Sequence, residues 1–100
     1  MRLRYTSRAR RHIDSIQSYI AERNPDAARR VIERIRATAE LLREFPFIGH
    51  DGLVPGTREM VVVGLPFVIV HRIDPKGEDV EVLGVYHAAQ DRAGQRPYNP

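Results

Sequence analysis

The fold of this chain is decided by residues 54–92, VPGTREMVVVGLPFVIVHRIDPKGEDVEVLGVYHAAQDR. Three runs rich in β-branched residues, 57–63, 67–73 and 80–87, are separated by turn signals at residues 64–66 (GLP) and 74–78 (DPKGE). Runs of this kind, joined by short turns containing Gly and Pro, are typical of antiparallel hairpins. The stretch therefore predicts three consecutive strands, and it brings Arg58, Arg72, His87 and Arg92 to strand ends or just beyond them.

The residues before this stretch predict one short strand and two amphipathic helices. Residues 2–5 alternate polar and apolar side chains, and Thr6 or Ser7 then caps the first helix. Asn24 caps the second helix and Pro25 takes its first turn. This helix is predicted to reach about residue 44, because Pro46 cannot continue it. The apolar stripes are Ala9, Ile13, Ile16 and Ile20 in the first helix, and Ala28, Val31, Ile32, Ile35, Ala39 and Leu42 in the second.

The order of elements, β-α-α-β-β-β, predicts an α+β fold in which a helix hairpin packs on one face of a mainly antiparallel sheet. With 100 residues, the chain is expected to form a single domain over residues 1–100. Residues 47–56 are predicted to be a loop. Residues 88–100 are polar and end in proline, so they are expected to form a short turn followed by a mobile tail.

Both faces of the predicted central hairpin are apolar. The helices are expected to cover one face, whereas the other requires a cover of its own, because a one-sided antiparallel sheet normally alternates apolar and polar residues. That cover is the tail, the loop of residues 46–56 or a partner chain, since exposed apolar patches mark interaction sites. Met60, Val62, Phe67 and Ile69 are assigned to the first face, and Val61, Val63, Val68 and Val70 to the second.

Composition excludes several classes of protein. The absence of cysteine rules out disulfides and thiolate metal sites and is consistent with the cytoplasm. The chain has no apolar run of membrane-spanning length and no signal core, so we expect neither a membrane segment nor secretion. The histidines lack metal-ligand spacing and no Gly-rich phosphate loop is present, so no metal or cofactor is expected. The net charge of +3, carried by arginine, fits solvated helix faces, an acidic protein partner or a nucleic acid.

Motifs across nearly the whole chain carry a resemblance to a known family. They are Tyr5-Thr6-Ser7, Asn24-Pro25 with Ala27-Ala28, Phe45-Pro46 before Gly49, the run VPGTRE at residues 54–59, the strand at 67–73, and the run VEVLGVYH at 80–87 with Gln90 and Arg92. In this order and spacing, the chain resembles the ParE/RelE superfamily of toxins from bacterial type II toxin–antitoxin systems, and the ParE branch in particular.

The resemblance implies a toxin that a cognate antitoxin neutralises by wrapping an acidic, amphipathic segment around it, in a hetero-oligomer. ParE-like members poison DNA gyrase by binding, whereas RelE-like members cut messenger RNA on the ribosome. A third alternative is a binding module without toxicity. The residues expected to contact a partner are Arg8, Arg11, Arg58, Val61, Val63, Val68 and Val70.

A RelE-like nuclease would need a group that activates the 2′-hydroxyl and cations that bind the phosphate. The candidates, which apply only to a nuclease, are His87, Arg58, Arg72 and Arg92. RelE-like chains carry an arginine after an aromatic residue in the middle strand and lysines before it. Here Val68 follows Phe67, and the only lysine is Lys76 in a turn. The sequence therefore favours a toxin that acts by binding.

Three of the four nuclease candidates also have a purely structural interpretation. His87 would then be a strand-end histidine hydrogen-bonded to the structure. Arg58 would pair with an acid at the sheet edge, and Arg72 would pair with the neighbouring Asp74.

Overall fold

A computed structural model describes residues 1–90 of the chain. Its elements are β1 (Arg2–Tyr5), α1 (Ser7–Ala21), α2 (Pro25–Glu40), β2 (His50–Asp51), β3 (Arg58–Val61), β4 (Phe67–Ile73) and β5 (Asp79–His87), with 3-10 turns at Leu41–Arg43 and Ala88–Gln90. The first residues of the predicted tail thus form a turn, and residues 91–100 lie outside the described part of the chain.

Both helices begin at the predicted caps. The Thr6 hydroxyl accepts a hydrogen bond of 3.1 Å from the backbone N–H of Ala9, and the Asn24 side chain accepts one of 3.0 Å from Ala27. Pro25 occupies the first turn of α2, where its missing N–H costs no hydrogen bond. The predicted helix 2 was too long, because α2 ends at Glu40 and the chain tightens into a 3-10 turn before Pro46.

The five strands form one mixed sheet in the order β1-β5-β4-β3-β2. Strands β2 to β5 pair antiparallel, and β1 pairs parallel to β5. The predicted α+β architecture with a helix hairpin on a mainly antiparallel sheet is confirmed. The additional strand β2 lies inside the predicted loop. It was not predicted, because a strand of two residues shows no periodicity.

The predicted strand limits were nearly right. Strand β3 ends two residues early, at Val61, although the Val62 N–H still donates a hydrogen bond of 2.9 Å to the carbonyl of Phe67. Strand β5 begins one residue early, at Asp79, which pairs with Arg2 on β1.

The core lies between the helices and one face of the sheet. In the observed register Met60 faces Ile69 and Val61 faces Val68, which confirms how the two hairpin faces were divided. The residues that fill the core include Ile13, Ile35, Met60, Val62, Phe67, Ile69, Val80 and Val82. No helix within residues 1–90 is long and apolar enough to cross a membrane.

A β-bulge interrupts the pairing of β4 and β5. Val70 pairs with Gly84 and His71 with Val82, which leaves Leu83 as an extra residue on β5. Leu83 packs with Val70 on the face of the sheet that the helices do not cover. The bulge therefore adds an apolar side chain to this opposite face, which we name the second face.

Candidate functional site

The second face exposes apolar residues at one end. Val61 is 57% exposed and Val63 is 74% exposed, although both are valines in or next to a strand. The Val62 N–H bonds to the Phe67 carbonyl of β4, so the N–H and C=O of the preceding Val61 point to the side of β3 away from β4. On that side, β2 pairs only with Arg58 and Glu59. Within residues 1–90, no strand pairs with this end of β3, which therefore offers a strand edge together with two exposed side chains, the features that an added strand or an apolar partner would use.

The other two valines expected to contact a partner lie within the fold. Val68 is 5% exposed and Val70 is fully buried. Val70 packs with Tyr86, under the partly buried Val54 and Leu83. Part of the cover that the sequence required is thus supplied by the loop before β3 and by β5 itself.

The opposite end of the second face carries a row of ion pairs. The carboxylates of Asp79 and Glu81 on β5 are nearly inaccessible to solvent. Arg2 holds Asp79 with two bonds of 2.9 and 3.4 Å. Glu81 lies between Arg4, on one oxygen, and Arg72, on the other at 2.9 Å. The row ties three strands together, and its guanidinium groups remain in contact with water.

The described nuclease candidates lie apart from one another. His87 pairs with Phe67 at one end of β4, whereas Arg72 is five residues further along that strand, about 17 Å at the rise of an extended chain. Arg58 pairs with His71, also toward that far end, and successive residues of β4 point to opposite faces. Arg92 lies outside the described residues. Within residues 1–90, the arrangement brings none of these candidates together around one phosphate.

Each described candidate has a local structural contact. Arg58 pairs with Asp51 at 2.9 Å and donates to the Gly49 carbonyl at 2.8 Å, as its structural interpretation predicted. His87 accepts a hydrogen bond of 3.1 Å from the Ala89 N–H through Nδ1, again as predicted. The predicted pair of Arg72 with Asp74 is wrong. Arg72 donates to Glu81, its partner across the strands, and the Asp74 carboxylate instead accepts a hydrogen bond from the Glu78 N–H.

Two histidines serve the fold in ways that the sequence did not indicate. His12 on α1 accepts a hydrogen bond of 3.2 Å from the Val85 N–H and meets the Tyr86 ring edge-on, so it closes the strand edge that β1 leaves open. Burial, followed by the charges of Arg8 and Arg11, lowers the pKa of His12.

His71 is completely buried. Burial lowers its pKa to about 4, and the Arg58 charge acts in the same direction. Neither of its ring nitrogens reaches a well-aligned hydrogen-bond partner within residues 1–90, although a weak interaction with the Ile48 backbone partly opposes the shift. Groups of three or more side chains able to hold a metal ion are absent from the described residues.

Comparison with known proteins agrees with this architecture. A family described as ParE toxin of type II toxin-antitoxin system, parDE, matches residues 3–92. The chain belongs to the ParE toxin family. A relative from Sinorhizobium fredii (strain NBRC 101917 / NGR234) named "Putative toxin Y4kP" is 44% identical over 89 residues, which are 89% of this chain and 90% of the relative.

The fold of this ParE-family toxin also matches a solved structure. A chain of the chromosomal ParDE TA system from P. aeruginosa superimposes with a TM-score of 0.78 at 23% identity, over 87% of this chain and 95% of that chain. At this identity the likeness concerns the fold alone. The resemblance to the ParE branch that the sequence motifs indicated is confirmed.

The row of Asp79 and Glu81 in this ParE-family toxin was missed at the level of sequence. The two acids alternate with Val80 and Val82, a pattern that indicates a strand with one solvated face. The signal that was available is the matching alternation of Arg2 and Arg4 in the first strand. Only the parallel pairing of β1 with β5 brings the two patterns side by side.

Proposed function

We propose that this ParE-family toxin acts by binding and inhibiting a protein target, DNA gyrase, and that a cognate acidic antitoxin neutralises it in a cytoplasmic hetero-oligomer. The observation that carries the proposal is the separation of His87, Arg58 and Arg72, with Val68 in the place where RelE-like chains carry an arginine. Within residues 1–90, candidates this far apart cannot act together to stabilise one phosphate in a transition state. Inhibition by binding needs only a surface.

The proposed antitoxin surface uses the exposed end of the second face. Val61 and Val63 supply apolar contact area, and the unpaired edge of β3 supplies backbone groups for an added strand. Arg8, Arg11 and Arg58 would pair with antitoxin acids. Val68 and Val70 are buried in the free chain, so they would take part only by supporting the exposed pair.

Expression of the chain with and without its antitoxin tests the proposal in cells. The chain alone should arrest growth and reduce plasmid supercoiling, and co-expression of the antitoxin should restore both. Normal growth with the chain alone would instead favour the third alternative, a binding module without toxicity.

A RelE-like ribonuclease is the second candidate function, and it rests on His87. This residue is exposed at the end of β5, and its side chain contacts Phe67 edge-on at a centroid distance of 5.6 Å. An exposed imidazole at a strand end suits acid–base chemistry. Primer extension on messenger RNA after induction should then show cuts that a His87→Ala variant loses. Toxicity that survives His87→Ala without any cuts would exclude this function.

A further inference from the structure

A groove of about 880 Å³ lies between α1 and the ends of β4 and β5, at the edge of β5 that β1 leaves open. The turn before β4 forms one of its sides. The aliphatic part of its lining includes Ile16, Ile20, Val31, Leu65 and Val85. Ligand sites are typically concave, of this volume and mainly apolar, with a few polar groups that orient the ligand. The groove therefore has the size and the walls of a ligand site.

Flat rings form another part of the groove wall. Phe67 and Tyr86 line it from the sheet, where both are buried, and the exposed Tyr19 lines it from α1. His12 meets the Tyr86 ring edge-on at a centroid distance of 4.8 Å. His87 meets the Phe67 ring in the same way at 5.6 Å. Five rings in one groove favour a planar aromatic ligand, because aromatic rings attract one another in offset and edge-on contacts.

The two histidines of the groove are fixed as hydrogen-bond donors. A backbone N–H can only donate, so Nδ1 of His12 accepts from Val85 at 3.2 Å. In the same way, Nδ1 of His87 accepts from Ala89 at 3.1 Å. Each neutral ring therefore carries its hydrogen on Nε2. Within residues 1–90, the hydrogen bonds of both rings run through Nδ1 alone, which leaves two Nε2–H groups to donate to a ligand.

The charges near the groove stand outside its lining. Burial, and then the charges of Arg8 and Arg11, lower the pKa of His12 and favour its neutral form. Arg23 lies over the Tyr19 ring, 4.5 Å from its centroid. None of these arginines lines the groove, and neither does any other charged side chain of residues 1–90. A charged ligand would therefore lose hydration without forming an ion pair, so the groove suits a neutral one.

We propose that this groove binds a neutral, planar aromatic small molecule of the quinone class, whose carbonyl oxygens accept hydrogen bonds from Nε2 of His12 and of His87. Two acceptors on one flat ring system match two donors in a groove walled by flat and aliphatic side chains. The site is separate from Val61 and Val63, the exposed pair of the proposed antitoxin surface, because neither valine lines it. The inference concerns binding alone, and it holds whether or not gyrase is the cellular target.

An NMR titration of the full chain with 1,4-naphthoquinone at pH 7.5 tests the proposal. Naphthalene, which has the same rings without the oxygens, is the matched ligand, and the chain has no cysteine with which a quinone could react. We expect the quinone to bind at least tenfold more tightly than naphthalene, since two hydrogen bonds are added. The amide shifts should concentrate at Ser15, Leu65 and His87.

Three histidine variants locate the donors. His12→Phe and His87→Phe keep a flat ring but lose the Nε2–H group, so each should weaken quinone binding about fivefold. His50→Phe makes the same change at an exposed position outside the groove, and it should leave the affinity unchanged. Thermal melts verify that all three variants fold.

Several results would overturn the proposal. Equal affinity for naphthalene and the quinone, or no shift at the groove amides, would remove the role of the two donors. Equal effects of the three histidine substitutions would place the ligand elsewhere. Tighter binding of 2-naphthoate than of the quinone would make this an anion site that uses the nearby arginines. A dimer of the free chain that the quinone dissociates would make the groove an interface between two copies, and nuclear Overhauser contacts between Tyr98 and Phe67 in the free chain would show that the chain fills the groove itself.

Discussion

Arg72 donates a hydrogen bond of 2.9 Å to Glu81, which faces it across β4 and β5 and is itself held from β1 by Arg4. This carboxylate joins three of the five strands through its side chain. Its near-complete burial makes its partners important, because an oxygen shielded from water depends on protein donors.

Glu81→Ala is expected to lower the free energy of unfolding by about 2 kcal/mol, since it removes two charge-assisted hydrogen bonds whose donors remain hydrated. Urea denaturation measures the change. Glu78→Ala, three residues away in the turn before β5 and exposed, is the control and should change stability by less than about 0.5 kcal/mol. Equal effects of the two substitutions would show that the row contributes nothing specific.

The buried His71 makes stability depend on pH. Because burial lowers the pKa of His71 from 6.5 to about 4, the unfolded chain binds a proton at this site between those pH values and the folded chain does not. The free energy of unfolding should therefore fall as the pH drops from about 6.5 to 4, with a contribution from this site of roughly 3 kcal/mol.

His71→Leu isolates that contribution. At pH 7.5 the variant should be as stable as the parent or more stable by about 1 kcal/mol, because it removes two poorly partnered nitrogens from the interior. Its stability should fall less than that of the parent when the pH is lowered. Parallel pH profiles for the two proteins would contradict the assignment of the shift to His71.

Gly49 lies where the chain crosses close to the edge of β3. A Cβ atom at this position would come within 2.0 Å of the Glu59 carbonyl oxygen, and φ is +95°. Gly77 also has a positive φ, +74°, but faces open space. Gly77→Ala should therefore cost only the backbone penalty of about 1 kcal/mol, whereas Gly49→Ala should cost clearly more or prevent folding. Similar melting temperatures for the two variants would contradict the observed approach of the chain to β3.

The exposed pair on β3 is expected to carry antitoxin affinity. Val61→Asp combined with Val63→Asp should weaken binding to the antitoxin at least tenfold, since it places charge in an apolar contact and repels antitoxin acids. Isothermal titration calorimetry measures the affinity. Leu41→Asp, an exposed apolar residue at the end of α2, provides the control. An antitoxin that binds the double variant and the parent equally must use another surface.

Much of the fold was predictable because its local signals agree. The Thr6 and Asn24 caps, the helical stripes and the two Gly- and Pro-containing turns each indicate the element that is observed. The division of the hairpin into a Met60 face and a Val61 face followed from side-chain alternation alone. Strand β2 was not predictable, because a two-residue pairing depends on tertiary contact rather than on local pattern.

The site was less predictable, because it depends on which strands become neighbours. From the sequence, Val61 and Val70 belong to one apolar face, and nothing local indicates that only the first is exposed. Arg72 adjoins Asp74 in the chain, yet its partner is Glu81 on the next strand. The bonds of Arg2 to Asp79 and of Arg4 to Glu81 likewise require β1 to lie beside β5.

The most direct test of the central claim is a supercoiling assay with purified DNA gyrase and the purified chain. We expect the chain to inhibit supercoiling at low micromolar concentration, equimolar antitoxin to reverse the inhibition, and His87→Ala to inhibit as well as the parent. No effect on gyrase at a large excess of the chain, together with messenger RNA cleavage that His87→Ala abolishes, would contradict it.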